Sequence, residues 1–179
     1  MTKEERIDSF SWIMESAVST LELKKMTVKL TEMGFFDRPA SLKYHGTESG
    51  DLFRHSAEVT ESLIQLTERL DLKWERRESP YLVGMLHDLC KCELYRYSED
   101  TEKWEYNNDL ILPGHGEKSV ILAQKLIRLT EEEIACIRWH MGAFDEKENW
   151  KHYSYAVSVY PNVLYTHTAD MIASQIHGI

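Results

Sequence analysis

The sequence predicts an all-α fold, a single-domain helical bundle interrupted by one small β-hairpin or flap near residues 94–109. Three observations lead there. Apolar residues recur three and four apart along most of the chain. Capping and stop residues cut that pattern into segments of helical length. Alternation of the strand type is confined to one short aromatic stretch.

The elements follow in order. A first helical region covers about 8–34, with Phe10, Ile13, Met14, Val18, Leu21, Met26, Leu30 and Met33 as its apolar residues and Gly34 as its stop. A loop containing Pro and Gly runs from Phe36 to Gly50. Asp51 caps a second helix reaching about Leu70, on the stripe Leu52, Val59, Leu63, Leu66 and Leu70, with His55 one turn before Val59. Ser79-Pro80 pairs a capping Ser with Pro at the first helical position. The stretch Tyr81 to Leu86 is apolar nearly all round, so this helix should be central, ending near His87 to Lys91. Tyr95 and Tyr97 alternate, as do Trp104 and Tyr106, about the polar run Ser98 to Lys103, which gives the flap. Pro113-Gly114 introduces a helix over about 115–129. Thr130 with Glu133 forms a capping box for the next, which ends near Gly142. A polar, aromatic loop is expected over 143–160, and Pro161-Asn162 starts a last helix to about Ile176.

Composition narrows the function. A chain of 179 residues can bury a core without disulfides, and its three cysteines (Cys90, Cys92, Cys136) read as reduced core thiols, with soft metal ligation as the alternative. The net charge of −9 opposes non-specific binding to a long nucleic acid. It permits a small phosphate substrate where bound cations reverse the local sign. No apolar run is long enough for a membrane span, and the opening Met1 to Arg6 lacks the pattern of a signal peptide, so the cytoplasm is the expected compartment.

The chemistry-bearing residues stand in four local contexts and one helix interior. Leu52-Phe53-Arg54-His55-Ser56, Leu86-His87-Asp88-Leu89-Cys90-Lys91, Gly114-His115-Gly116-Glu117-Lys118 and Trp139-His140-Met141-Gly142 each place a histidine at a helix or helix end. Asp170 sits inside the last helix. Aspartate is a poor helix-interior residue, and a His-Asp pair ending an apolar helix is costly to bury without partners. Metal binding removes that cost, because imidazole and carboxylate are ordinary ligands of Fe, Mn, Zn, Ni and Co.

The order His55, His87-Asp88, His115, His140 and Asp170 resembles the HD-domain superfamily of metal-dependent phosphohydrolases, over about residues 36–176. His55, His87, Asp88 and Asp170 match its single-metal pattern. His115 and His140 match the two further histidines of its two-metal branch, and Lys91 fits the extended H-D-x-x-K form. The stretch Phe36 to Gly46 looks like the lead-in of bacterial and phage HD proteins. It is also similar to the HD part of certain bacterial 3′–5′ exoribonucleases, which places His45 near the site by analogy. The separate nucleic-acid-binding domain of those exonucleases is not found here, nor is the G-Y-P element of cyclic-di-GMP phosphodiesterases.

The resemblance implies an HD-type bundle holding two divalent transition-metal ions. The first would be held by His55, His87, Asp88 and Asp170, the second by His115 and His140, with Asp88 between them. A water bridging the ions would attack a P–O bond of a nucleotide or related small phosphate ester. Asp88 and Lys91 are the expected catalytic residues, and Arg54, Lys91, Lys118, Arg138 and His45 the candidates for substrate contact. Glu117 reads either as orienting His115 or Lys118 or as a first-turn acid of its helix, and His167 as a structural residue, with a site role the alternative; the flap aromatics read as hairpin packing, with stacking on a base the alternative. The alternatives are a 3′–5′ exonuclease on short single strands and a non-catalytic sensor that binds metal and nucleotide.

Overall fold

The computed structural model describes residues 1–43, 46–112 and 114–179. His45, and the Pro113 proposed as a helix start, lie outside the described residues.

The region expected as one helix over 8–34 is two: α1 (Lys3–Met14) and α2 (Thr20–Met33). Each starts with a capping box, Thr2 with Glu5 and Ser19 with Glu22. The second box satisfies the first donors of a new helix, so the chain turns at 15–19 although the apolar residues continue. Gly34 ends α2 in the left-handed region, as its position predicted. Phe35 and Phe36 then join Phe10 and Phe53 in a buried aromatic quartet that fastens the α1–α2 hairpin to the core.

The long helix α3 (Asp51–Leu70) carries the predicted stripe, buried at Leu52, Val59 and Leu63 and exposed again at Leu70. Gly50 is its N-cap residue. Asp51 is already helical, its carboxylate accepting from the Glu48 amide. The central helix is α4 (Ser79–Leu86), with Leu82, Val83, Met85 and Leu86 fully buried. Ser79 does not cap it: Glu78 holds that place, and the Ser79 hydroxyl donates to Glu133. A short α5 (Lys91–Leu94) leads into the hairpin of β1 (Tyr95–Ser98) and β2 (Lys103–Tyr106), paired antiparallel with Tyr95 opposite Tyr106 and Tyr97 opposite Trp104. With a period of two, all four aromatics share one face. The guanidinium of Arg38 lies over the Trp104 ring.

After the hairpin come α6 (Gly116–Gln124), shorter than expected, and α7 (Glu131–Trp139), with the predicted Thr130–Glu133 capping box. The stretch 143–160 is not a loop. It holds two 3-10 turns and α8 (Trp150–Val159), none of whose residues is buried. The last helix is α9 (Asn162–Met171), continued by a π-helical turn over Ile172–His177.

Helix α3 packs on α4 and α9, and α7 packs on α4, α6 and α9, so the core lies among α3, α4, α7 and α9. Two contacts fix its geometry. Gly84 of α4 touches α3 at Thr60 so closely that a Cβ there would stand 2.5 Å from the Thr60 Cα. At the far end Glu133, fully buried, receives the Arg76 guanidinium, the Ser79 hydroxyl and the Thr130 amide, while Glu132 receives the Glu75 amide and the Asn162 side chain. This network ties the 75–79 segment to α7 and α9 and satisfies two carboxylates that burial would otherwise penalise. No described helix is long and apolar enough to cross a membrane.

Candidate metal centre

Four histidines and two aspartates meet where the core helices end. His55 comes from the first turns of α3, His87 and Asp88 from the end of α4, His140 from the end of α7, and Asp170 from α9. His115 stands immediately before α6. Gly116 beside it has no room for a side chain: a Cβ would meet the Arg138 carbonyl at 2.1 Å. That contact presses the start of α6 onto the end of α7 and brings His115 to His140.

The ring orientations are set by hydrogen bonds on Nδ1. His87 Nδ1 donates to the Gly84 carbonyl at 2.8 Å, and His140 Nδ1 to the Ile137 carbonyl at 2.7 Å. His55 Nδ1 donates to the main-chain oxygen of Ile179 at 2.8 Å. Such oxygens only accept, so each of these nitrogens carries the proton, and in the neutral ring Nε2 presents a lone pair inward. The Nε2 atoms of His55 and His87 are 3.3 Å apart, and those of His115 and His140 are 3.1 Å apart. Two imidazole nitrogens facing each other at this distance need a cation between them, either a shared proton or a metal ion.

The distances suit such a cation. Around the Asp88 Oδ2 side, His55 lies 3.2 Å from Asp170 and 3.5 Å from Asp88, and His87 lies 3.4 Å from Asp88. Around Oδ1, His115 lies at 3.0 Å and His140 at 3.5 Å. Ligands each about 2.0–2.1 Å from one ion, at right-angle to tetrahedral spacing, stand roughly 3.0–3.4 Å apart. Asp88 Oδ1 is buried without a hydrogen-bond partner among the described residues, which is expensive for a carboxylate unless a cation takes that lone pair. The residues therefore fit divalent metal, and His55–His87–Asp170, His87–Asp88–His140 and Asp88–Cys90–His115 are each grouped closely enough to hold an ion.

Electrostatics point the same way. Burial works against charge on Asp88, but Lys91, His87 and the nearby rings of His115 and His140 hold its carboxyl well below the usual range. Asp170 is likewise lowered, burial being outweighed by His55 and His87. Lys91 Nζ pairs with Asp88 Oδ2, and that partner outweighs burial and raises the Lys91 pKa. Burial lowers His140. His115 is raised to about 10, burial being overcome by Cys90 and Asp88.

The centre opens into a cavity of about 590 Å³. Lys91, Tyr95 and Tyr106 form one side of it, Met141 and Phe144 another, and Ser174 and Gln175 of the π-helical turn a third. Of the cations proposed for substrate contact, Lys91 alone lines this cavity among the described residues. Arg54 pairs with Asp51 and lines a different cavity, beside α1. Lys118 is buried and paired with Glu93. Arg138 is held between Glu117 and Asp145 over the Trp139 ring, so Glu117 orients Arg138 rather than His115. His167 donates to the His140 carbonyl at 2.8 Å and supports that residue from behind. Burial pushes the thiols of Cys92 and Cys136 up, as expected of inert core cysteines. Cys90 differs: its sulfur touches His115.

Three contributors were not apparent from the sequence: the Ile179 main-chain oxygen, the Cys90 sulfur, and the Ser174–Gln175 wall. The first two depend on contacts across the fold. The third depends on a π-helical turn, for which the sequence carries no distinct signal.

The HD domain family model matches residues 52–174, from the second residue of α3 to the π-helical turn. No curated protein and no solved structure matches the chain.

Proposed function

The chain belongs to the HD-domain family of metal-dependent phosphohydrolases, and on that premise we propose that it cleaves a P–O bond in a small phosphate ester of the nucleotide type, using two divalent ions. His55, His87, Asp170 and Asp88 Oδ2 would hold the first ion, and His115, His140 and Asp88 Oδ1 the second. The observation that carries this reading is Asp88: one buried carboxylate with imidazole nitrogens around each of its oxygens and, among the described residues, no hydrogen bond to Oδ1. Bound divalent ions supply Lewis acidity toward the phosphoryl oxygens and lower the pKa of a water nucleophile.

The protein's own groups do the rest. The Nδ1 donors on His55, His87 and His140 fix the tautomers, so these rings enter the reaction already oriented. Lys91 stays protonated and brings an ammonium to the cavity wall, placed to offset charge on a phosphoryl oxygen. Tyr95, its hydroxyl pushed up to about 12 by burial, remains a neutral donor at working pH and faces the cavity beside Tyr106. This aromatic pair offers a stacking surface for a base. The cavity volume falls within the roughly 300–1,000 Å³ usual for small-molecule pockets. With a single lining lysine among the described residues and a net charge of −9, a long nucleic acid would find few phosphate contacts.

The test is a hydrolysis screen over nucleotides, cyclic nucleotides, dinucleotides and short oligonucleotides with added Mn or Fe, alongside Asp88→Asn. Phosphate or nucleoside release that a chelator stops and Asp88→Asn abolishes is the expected result. Activity unchanged in that variant would sink the mechanism. Progressive shortening of an oligonucleotide would favour the exonuclease reading, and tight nucleotide binding without turnover the sensor reading.

A further inference from the structure

Three of the four histidines in the centre are oriented by main-chain oxygens, and His115 is not. His87 and His140 use carbonyls three residues upstream on their own helices. His115 precedes α6, with φ −112° and ψ −74°, so no helical turn lies behind it to supply such an acceptor. Its Nδ1 instead meets Cys90 Sγ at 3.2 Å, and among the described residues it has no other hydrogen-bonding partner. The His115 side chain is also the most open of the four, at 31% exposed against 0–2% for the others.

Cys90 is well placed for the task. It follows Asp88 by two residues in the turn between α4 and α5, so its sulfur moves with the carboxylate that His115 must meet. Its amide donates to Ser119 Oγ at 3.1 Å, one turn along α6 from His115. Both ends of the Sγ–Nδ1 contact are thereby tied to the same two elements. With Nδ1 against sulfur, Nε2 faces Asp88 Oδ1 at 3.0 Å and His140 Nε2 at 3.1 Å. That is the side on which the Asp88 oxygen lacks a hydrogen bond.

We propose that Cys90 is the positioning residue for His115, its sulfur accepting the Nδ1 proton so that Nε2 is left free to bind, and that it thereby sets the affinity of the second metal position alone. The inference rests on the two-ion reading above. Sulfur is a weaker acceptor than a carbonyl, so this position is the less firmly prepared of the two. Loss of the sulfur leaves the first group, His55–His87–Asp170 with Asp88 Oδ2, untouched.

The experiment is titration of metal-free protein with Mn²⁺, read as bound ions against free, for the wild type, Cys90→Ala and Cys90→Ser. It is paired with long-range ¹H–¹⁵N spectra of the histidine rings in the metal-free state. The wild type should bind two ions. Cys90→Ala should keep the first at wild-type affinity and weaken the second about 10- to 100-fold, the usual cost of removing a group that orients a ligand. Cys90→Ser should recover part of the loss, because its hydroxyl can also accept. The ring spectra should show His115 losing its fixed protonation pattern in Cys90→Ala while His55, His87 and His140 keep theirs. Wild-type affinity for both ions together with an unchanged His115 signal in Cys90→Ala overturns the proposal. A wild type that takes only one ion overturns the two-ion reading and the affinity claim with it. The His115 signal then decides the positioning role by itself. If Cys90→Ala fails to fold, the same comparison is made with Cys90→Ser, where a second-ion affinity and a His115 signal both equal to wild type overturn the proposal.

Discussion

Gly84→Ala is the substitution that best tests whether the α3–α4 contact sets the geometry of the metal centre. The added Cβ would stand 2.5 Å from Thr60 Cα, 2.7 Å from its Oγ1 and 2.9 Å from its N, where ordinary contact begins at 3.4 Å. The two helices must therefore part by up to about 0.9 Å. Trimming Thr60 cannot relieve this, since the nearest atom belongs to its backbone. Overpacking of this kind costs ~1–3 kcal/mol, while alanine's better helix propensity returns ~1 kcal/mol. The net loss of ~0–2 kcal/mol should lower Tm by about 0–8 °C in a chain of this size. The centre should suffer far more than the fold. His55 rides on α3, and His87 is held by the carbonyl of Gly84 itself, with their Nε2 atoms 3.3 Å apart. Displacement by most of an ångström takes that pair beyond the span one ion can bridge, and misplacement by 1 Å can cost about 100-fold in rate. The assay combines Tm by differential scanning fluorimetry, first-ion affinity by Mn²⁺ titration, and turnover on the substrate found in the screen. A variant that binds the first ion and turns over as well as wild type would refute the reasoning, whatever its Tm.

Lys91→Met should retain both ions and lose about 10²–10³ in kcat, the range seen when one donor to a developing negative charge is removed. Metal loss at unchanged turnover per bound ion would instead assign Lys91 to the ligand shell. Because His115 is raised to about 10 in the metal-free protein, it is charged at pH 7–9 and must give up a proton before Nε2 can bind. Second-ion affinity should accordingly rise about tenfold per pH unit between 7 and 9 and level off near 10, with about one proton released per ion in calorimetry across buffers of different ionisation enthalpy. A flat affinity over that range would remove His115 from the ligand set. Arg76→Ala leaves the fully buried Glu133 without its cation, so stability should fall by about 3 kcal/mol and Tm by roughly 6–12 °C. First-ion affinity in the surviving folded fraction should not change, because Glu133 and the metal centre lie at opposite ends of α7.

The sequence was legible where periodicity and caps act locally. The stripe of α3, the all-apolar α4, the capping box at Thr130 and the alternating aromatics of the hairpin each appear at the expected place. Where it misled, a competing local signal was present or absent for physical reasons. The Ser19–Glu22 box ended one helix and began another while apolar residues ran on, and helix α8 has no buried residue to mark a stripe. Likewise, proximity in sequence was a poor guide to cations. On a helix the neighbour of an inward residue points about 100° away, which is why Arg54 pairs with Asp51 and lines another cavity while His55 turns inward. Lys91 reaches the centre because the chain turns between α4 and α5, carrying it back over Asp88. The Nδ1 partners could not be read at all: Ile179 is 124 residues from His55 in the chain, and only folding joins them.

The charge of the centre links metal to substrate. With His115 charged in the metal-free protein, Lys91 and His115 only balance the carboxylates of Asp88 and Asp170 among the described lining residues, so the empty cavity carries no excess positive charge, in a chain that is itself acidic. A phosphate ester has no electrostatic reason to enter it. Two bound divalent ions would make the cavity positive while leaving the outer surface acidic, so attraction for phosphate would be confined to the metal-loaded site. Substrate affinity should then track second-ion occupancy, and the Cys90 contact, by setting that occupancy, would govern binding of the phosphate as well as its attack. An ester that binds the metal-free protein as tightly as the loaded one would separate the two and show that the aromatic wall, not the ions, holds the substrate.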